Sequence, residues 1–134
     1  MPSAGESPYG RLAAERTDPR KERNMTISTC MDLVDSLMPN GLDRGVKLRL
    51  LGEIEGKVRV ELLGESPDDT AVFGADTPDA TELTAPHPYD QLYWTYMIAM
   101  MEYMRGDVTR YENAAALFNT AYQGYAKWLK RQGV

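Results

Sequence analysis

Between Pro88 and Leu129 the apolar side chains recur with helical spacing twice over. The first set is Tyr89, Leu92, Tyr93, Tyr96, Met97, Met100, Tyr103 and Met104. The second is Tyr111, Ala114, Ala115, Phe118, Ala121, Tyr122, Tyr125 and Leu129. Steps of three and four place each set on one face of an α-helix. Between them lies Arg105-Gly106-Asp107-Val108-Thr109. A glycine can take the left-handed conformation that closes a helix. Asp107 or Thr109 can then cap the next helix through a side-chain oxygen. The pattern predicts an antiparallel helical hairpin with a short loop.

Upstream, Thr26-Ile27-Ser28-Thr29 supplies a hydroxyl N-cap, and Cys30, Met31, Leu33, Val34, Leu37 and Met38 follow as the apolar face of a first helix. Pro39-Asn40-Gly41 ends it. Asp43 caps a second helix that turns Val46, Leu50, Leu51, Ile54, Val58 and Leu62 inward, with Lys47, Arg49, Glu53, Glu55 and Lys57 falling mostly outside the stripe. Gly56 interrupts this helix, and Lys57 to Leu62 alternates as a strand would; the reading adopted is helix through about Leu63. Gly64 to Pro86 is a long loop dense in turn formers, in which Ala71-Val72-Phe73 and Thr81-Glu82-Leu83 either pair as a small β-hairpin or lie along a neighbour. Pro88 is expected in the first turn of the third helix, with Asp90 near its positive end. The fold class expected is therefore all-α: a small four-helix domain over residues 25–134, with a long irregular loop between helices 2 and 3.

Composition changes this picture mainly at the N-terminus. Residues 1–24 are rich in Pro, Gly, Ser and charge, so they read as a disordered tail. At 134 residues and net charge −5 the chain reads as one soluble domain with no electrostatic pull towards nucleic acid. Between Val60 and Met104 there is no Lys or Arg, against nine Asp and Glu. No apolar run approaches a membrane span and no signal-peptide core is visible, so a cytoplasmic origin is expected. A single cysteine excludes an internal disulfide and a multi-cysteine zinc site.

Candidate chemistry is sparse. His87, the only histidine, has no nucleophile or acid at a catalytic spacing and reads as a turn residue. Asp68, Asp69, Asp76, Asp79 and Glu82 lack the ligand alternation and glycine of a calcium loop and read as a solvated acidic segment. Cys30 reads as a small buried hydrophobe. The expectation is no enzyme, with no catalytic residue, no cofactor and no metal. The hairpin is more suggestive, because it holds ten of the twelve aromatic residues. Trp94 lies off the stripe of the third helix and Trp128 near the edge of the fourth, so both are candidate interface residues.

The stretch PYDQLYWTYMIAMMEYMRGDVTRYENAAALFNTAYQGYAKWLKR resembles the C-terminal half of tailed-phage head–tail connector (adaptor) proteins. The resemblance lies in Pro88-Tyr89-Asp90, the aromatic helix Leu92 to Met104, Gly106-Asp107, Tyr111 with Asn113, and Phe118-Asn119-Thr120-Ala121-Tyr122. Thr26 to Leu51 looks like the first two helices of the same family, less specifically. The chain departs from the pattern in residues 1–24 and in ending soon after the fourth helix. The resemblance implies a structural virion protein made in the host cytoplasm and built into the head–tail interface. Such proteins form a ring, commonly dodecameric, between the portal protein and a stopper or other tail-proximal protein. DNA passes through the channel without specific binding, and no membrane is involved. In such a ring the acidic loop, Asp68 and Asp69 above all, is expected to meet Arg44, Lys47, Arg49, Lys57 and Arg59 on a neighbour. The rival reading is a small helical protein-binding module or regulator that presents the aromatic hairpin to one partner.

Overall fold

The computed structural model describes residues 24–70 and 72–133; the expected tail, apart from Asn24, lies outside the described residues. The domain is mostly helical: α1 (Ile27–Leu37), α2 (Arg44–Lys57), α3 (Gln91–Arg105) and α4 (Val108–Arg131) are joined by a two-stranded antiparallel ribbon of β1 (Asn24–Thr26) and β2 (Glu82–Pro86). The local punctuation behaves as its chemistry demands. Thr26 caps α1 by accepting from the Thr29 amide, Asp43 caps α2 from Gly45, and Asp107 caps α4 from Arg110. Gly106 closes α3 at φ 79°, the left-handed conformation that only glycine takes freely. The hairpin α3–α4 forms as expected.

The ribbon corrects two expectations. Asn24, assigned to the tail, opens β1, and the partner of the 81–86 segment is β1 rather than residues 71–73. Asn24 pairs with Pro86 and Thr26 with Glu82, with an irregularity between them, and the Asn24 amide nitrogen Nδ2 donates to the Leu83 carbonyl at 3.1 Å. The segment before β2 also completes α1. The amides of Ile27 and Ser28, orphaned at the helix start, donate to the carbonyls of Thr81 and Asp79, both at 3.0 Å. Phe73, meanwhile, lies against α2, so close that a Cβ on Gly52 would stand 3.3 Å from the Phe73 Cβ.

Helix 2 departs from a plain α-helix after Lys57. Val58–Leu62 is a π-helical turn, with the Leu63 amide donating to the Val58 carbonyl at 3.3 Å. The widened turn keeps Val58 buried and leaves Leu62 partly buried, as expected. Three further corrections concern phase and length. Val46 and Leu37 are exposed, while Leu48, absent from the expected stripe, is 3 % exposed. Glu55, expected outside, is buried at 3 %. Pro88 precedes α3 in a turn that contains a cis His87–Pro88 bond, and the helix itself begins at Gln91.

The core gathers Ile27, Cys30, Val34, Leu51, Ile54, Val58, Leu83, Leu92, Tyr93 and Met97. Helix α3 sits at its centre, which explains why apolar residues surround it on nearly every side. Helix α4 has nine more residues than α3 (24 against 15). Its last turns pack instead on Tyr89, which lies 5.7 Å from the Tyr125 ring and 5.5 Å from that of Trp128.

Candidate functional site

The best-ordered polar constellation joins three elements around Glu55. Tyr93 on α3 donates its hydroxyl to Glu55 Oε1 at 2.6 Å and accepts from the Ala85 amide at 2.8 Å. Thr84 on β2 donates both its amide, at 3.1 Å, and its hydroxyl, at 2.8 Å, to Glu55 Oε2. Arg59 Nη1 stands 3.8 Å from the same carboxylate. Burial first, then the charge of Glu55, pushes the Tyr93 hydroxyl far above the ordinary tyrosine range. A buried carboxylate engaged at both oxygens binds structure rather than substrate. This network ties α2 to β2 and α3, and sequence reasoning missed it. The signal was available: Leu48, Leu51, Glu55 and Val58 follow helical spacing, and Glu55 sits inside that stripe.

A second buried carboxylate is different. Glu102, 5 % exposed near the end of α3, has an Oε1 with no hydrogen-bond partner among the described residues. The nearest cation, Arg105 Nη1, is 3.9 Å away. Cys30 is fully buried with its Sγ 3.9 Å from Met97 Sδ, and burial, then the charge of Asp90, pushes the thiol up to about 12. His87 is exposed, with Nδ1 3.4 Å from Asp90 Oδ1. Among the described residues no three His, Cys, Asp or Glu are grouped so as to hold a metal ion, and no helix is long and apolar enough to cross a membrane.

The expected interface residues are placed as follows. Trp94 and Trp128 are both half-buried against the core, Trp128 with its ring 6.0 Å from that of Tyr125. Asp68 and Asp69 are exposed on a single 3-10 turn, Pro67–Asp69, capped by Ser66. The basic residues of helix 2 are engaged within the chain. Arg44 pairs with Asp79, Lys47 with Asp35 at 3.0 Å, Arg49 with Glu53 at 3.4 Å, Lys57 with Glu61 at 2.9 Å and Arg59 with Glu65 at 3.0 Å. Two of these acids, Glu65 and Asp79, belong to the acidic segment itself. The charge match foreseen between neighbours therefore exists inside one chain, folding the segment back along α2. Asn40 and then Lys47 hold the Asp35 carboxyl below the usual carboxylate range; Tyr122, 2.6 Å away, and then Lys57 do the same for Glu61.

The segment and α2 enclose an open groove of about 640 Å³, floored by Gly52 and Gly56 and walled by Val60, Pro67, Thr70 and Phe73. At the opposite extreme of the molecule's polarity, the exposed large apolar side chains are Leu37, Val72, Tyr103, Met104, Val108 and Leu117, with Val46 at the margin. Three of them, Tyr103, Met104 and Val108, flank the Gly106 turn. No protein-family model, no curated protein and no solved structure matches the chain.

Proposed function

We propose that this chain is a structural subunit of the phage head–tail connector kind. Copies of it assemble as a ring between a portal and a tail-proximal protein, around a channel through which DNA passes unbound. The observation that carries the reading is the hairpin. The stretch that resembles connector proteins forms a rigid pair of helices closed by Gly106 and capped by Asp107. Tyr96 with Phe118 and Tyr103 with Tyr111 join the two helices, and the turn leaves Tyr103, Met104 and Val108 at 63 %, 50 % and 65 % exposure. Such a clustering of large apolar side chains favours a protein partner over solvent. The buried carboxylate network supports the same view, because it braces the scaffold rather than facing a cavity.

The rival, a helical module binding one partner, uses the same exposed turn and differs in stoichiometry. Co-expression with a tailed-phage portal protein, followed by negative-stain electron microscopy, separates the two. The proposal predicts a ring of this chain seated on the portal. A one-to-one complex with a non-portal partner, or a portal that emerges bare, would overturn it.

A further inference from the structure

On α4, Ala126 and Lys127 lie three and four residues after Gln123, and Lys130 four and three after them, so the four share one face; with Tyr122 they line a groove of about 280 Å³. The apolar groups these residues bring to it are the Ala126 methyl, the Tyr122 ring and the methylene stems of the two lysines. Its edge is cationic, with Arg131 one residue further on. Among the described residues no carboxylate lies within ion-pair range of Lys127, Lys130 or Arg131. The nearest acid to appear at the groove, Glu61, is already held by the Tyr122 hydroxyl at 2.6 Å and by Lys57 at 2.9 Å.

The acidic segment carries the complementary charge. Val72 stands 88 % exposed at the edge of the α2 groove. Asp68, Asp69 and Asp76 surround it in sequence, and unlike Glu65 and Asp79 none of the three has an ion-pair partner among the described residues. One surface thus carries exposed Val72 with three carboxylates near it in sequence, unpaired among the described residues. The other is a partly apolar groove whose cations are likewise unpaired among the described residues, and it lies on a different element.

We infer that the α4 groove receives the acidic segment of a second copy of this chain, Val72 seating between Tyr122 and Ala126 while Asp68, Asp69 and Asp76 meet Lys127, Lys130 and Arg131. Because the two surfaces differ, the contact is heterologous, and repetition gives a closed ring or an open head-to-tail chain according to the rotation between copies. The closed outcome rests on the ring reading above; the contact itself does not. It also places the inter-copy cations on α4, since those of α2 are occupied.

Sedimentation velocity across a concentration series, at low and high salt, tests the contact. The parent should associate reversibly and less as salt rises, since the pairs are solvent-facing. Asp68→Lys with Asp69→Lys should weaken association by about tenfold, and Lys127→Glu with Lys130→Glu likewise, two solvated pairs being lost in each. Combining all four reversals should restore it. Val72→Ser should weaken association with an unchanged melting temperature, which separates the contact from any folding defect. A parent that stays monomeric throughout, or a fourfold variant no tighter than either double, overturns the inference. Electron microscopy of the same samples keeps the two ideas apart. Rings that survive both double reversals remove this contact and leave the ring; open chains restored by the charge swap keep the contact and remove the ring.

Discussion

The two ends of the α3–α4 hairpin are built from the same residue types and meet opposite fates. At the base, Tyr89, Leu92, Tyr93, Tyr125, Trp128 and Leu129 are packed beneath the ribbon, with Tyr93 fully buried and hydrogen-bonded at its tip. At the turn, Tyr103 touches Tyr111 with 5.6 Å between ring centroids, yet stays 63 % exposed, and Met104 borders a shallow groove with Asn40, Gly41 and Leu42. What differs is the company. The base reaches β2 and Glu55 of α2 through the Tyr93 hydroxyl, whereas at the turn Arg105 donates to the Pro39 carbonyl, beyond the end of α1, at 2.9 Å. Helical periodicity says which face of a helix is apolar; how far along its length a partner reaches is decided by elements distant in the chain.

The largest test of that contrast is Tyr93→Ala. It should cost about 3–5 kcal/mol, the range for emptying a buried aromatic site, and a melting curve like the parent's would show that the base does not carry the fold. Glu55→Ala should follow at about 3 kcal/mol, because the Tyr93 hydroxyl and the Thr84 amide lose a charged acceptor while still buried. Denaturant titration measures it, and a loss below about 0.5 kcal/mol would place Glu55 at the surface.

The base also sets an alkaline limit. Burial, then the charge of Glu55, pushes the Tyr125 hydroxyl up to about 12, and burial, then Glu53, does the same for Tyr96. Unfolded tyrosine ionises near pH 10. The unfolded chain thus loses these protons first, so stability is complete below about pH 10 and falls between about pH 10 and 12. Melting temperature should decline over that window alongside tyrosinate absorbance; ionisation of all tyrosines near pH 10 in the folded chain would contradict the packing.

At the turn end the signs change. Glu102→Met removes a buried carboxylate whose Oε1 has no hydrogen-bond partner among the described residues, and should raise stability by about 1–2 kcal/mol. A lower melting temperature would mean that Glu102 has a partner holding the turn. Met104→Ser should be nearly silent, within about 0.5 kcal/mol, because half of that side chain already faces water.

These contrasts also mark how far the sequence was legible. The caps at Thr26, Asp43 and Asp107 and the left-handed Gly106 were readable because each is local chemistry spanning a few residues. The pairing of Asn24 with Pro86 was not: it joins segments about sixty residues apart, and neither is long enough to show a strand's alternation. Glu55 was half-visible, in register with Leu48, Leu51 and Val58 but discounted for its charge. The cations of α2 were expected to meet Asp68 and Asp69 of a neighbour; within the chain Arg44–Asp79 and Arg59–Glu65 close, an arrangement that depends on how the segment returns along Gly52 and Gly56.

The central claim is that the buried base holds the fold while copies meet elsewhere, through the acidic segment and the end of α4. Amide hydrogen exchange on the parent chain, compared between dilute and concentrated samples, addresses it directly. The account predicts new protection at high concentration in residues 64–80 and in the last turns of α4, with the amides around Tyr93 and Glu55 slow and unchanged in both samples. Protection that does not depend on concentration anywhere, or that grows only around Gly106, would contradict it.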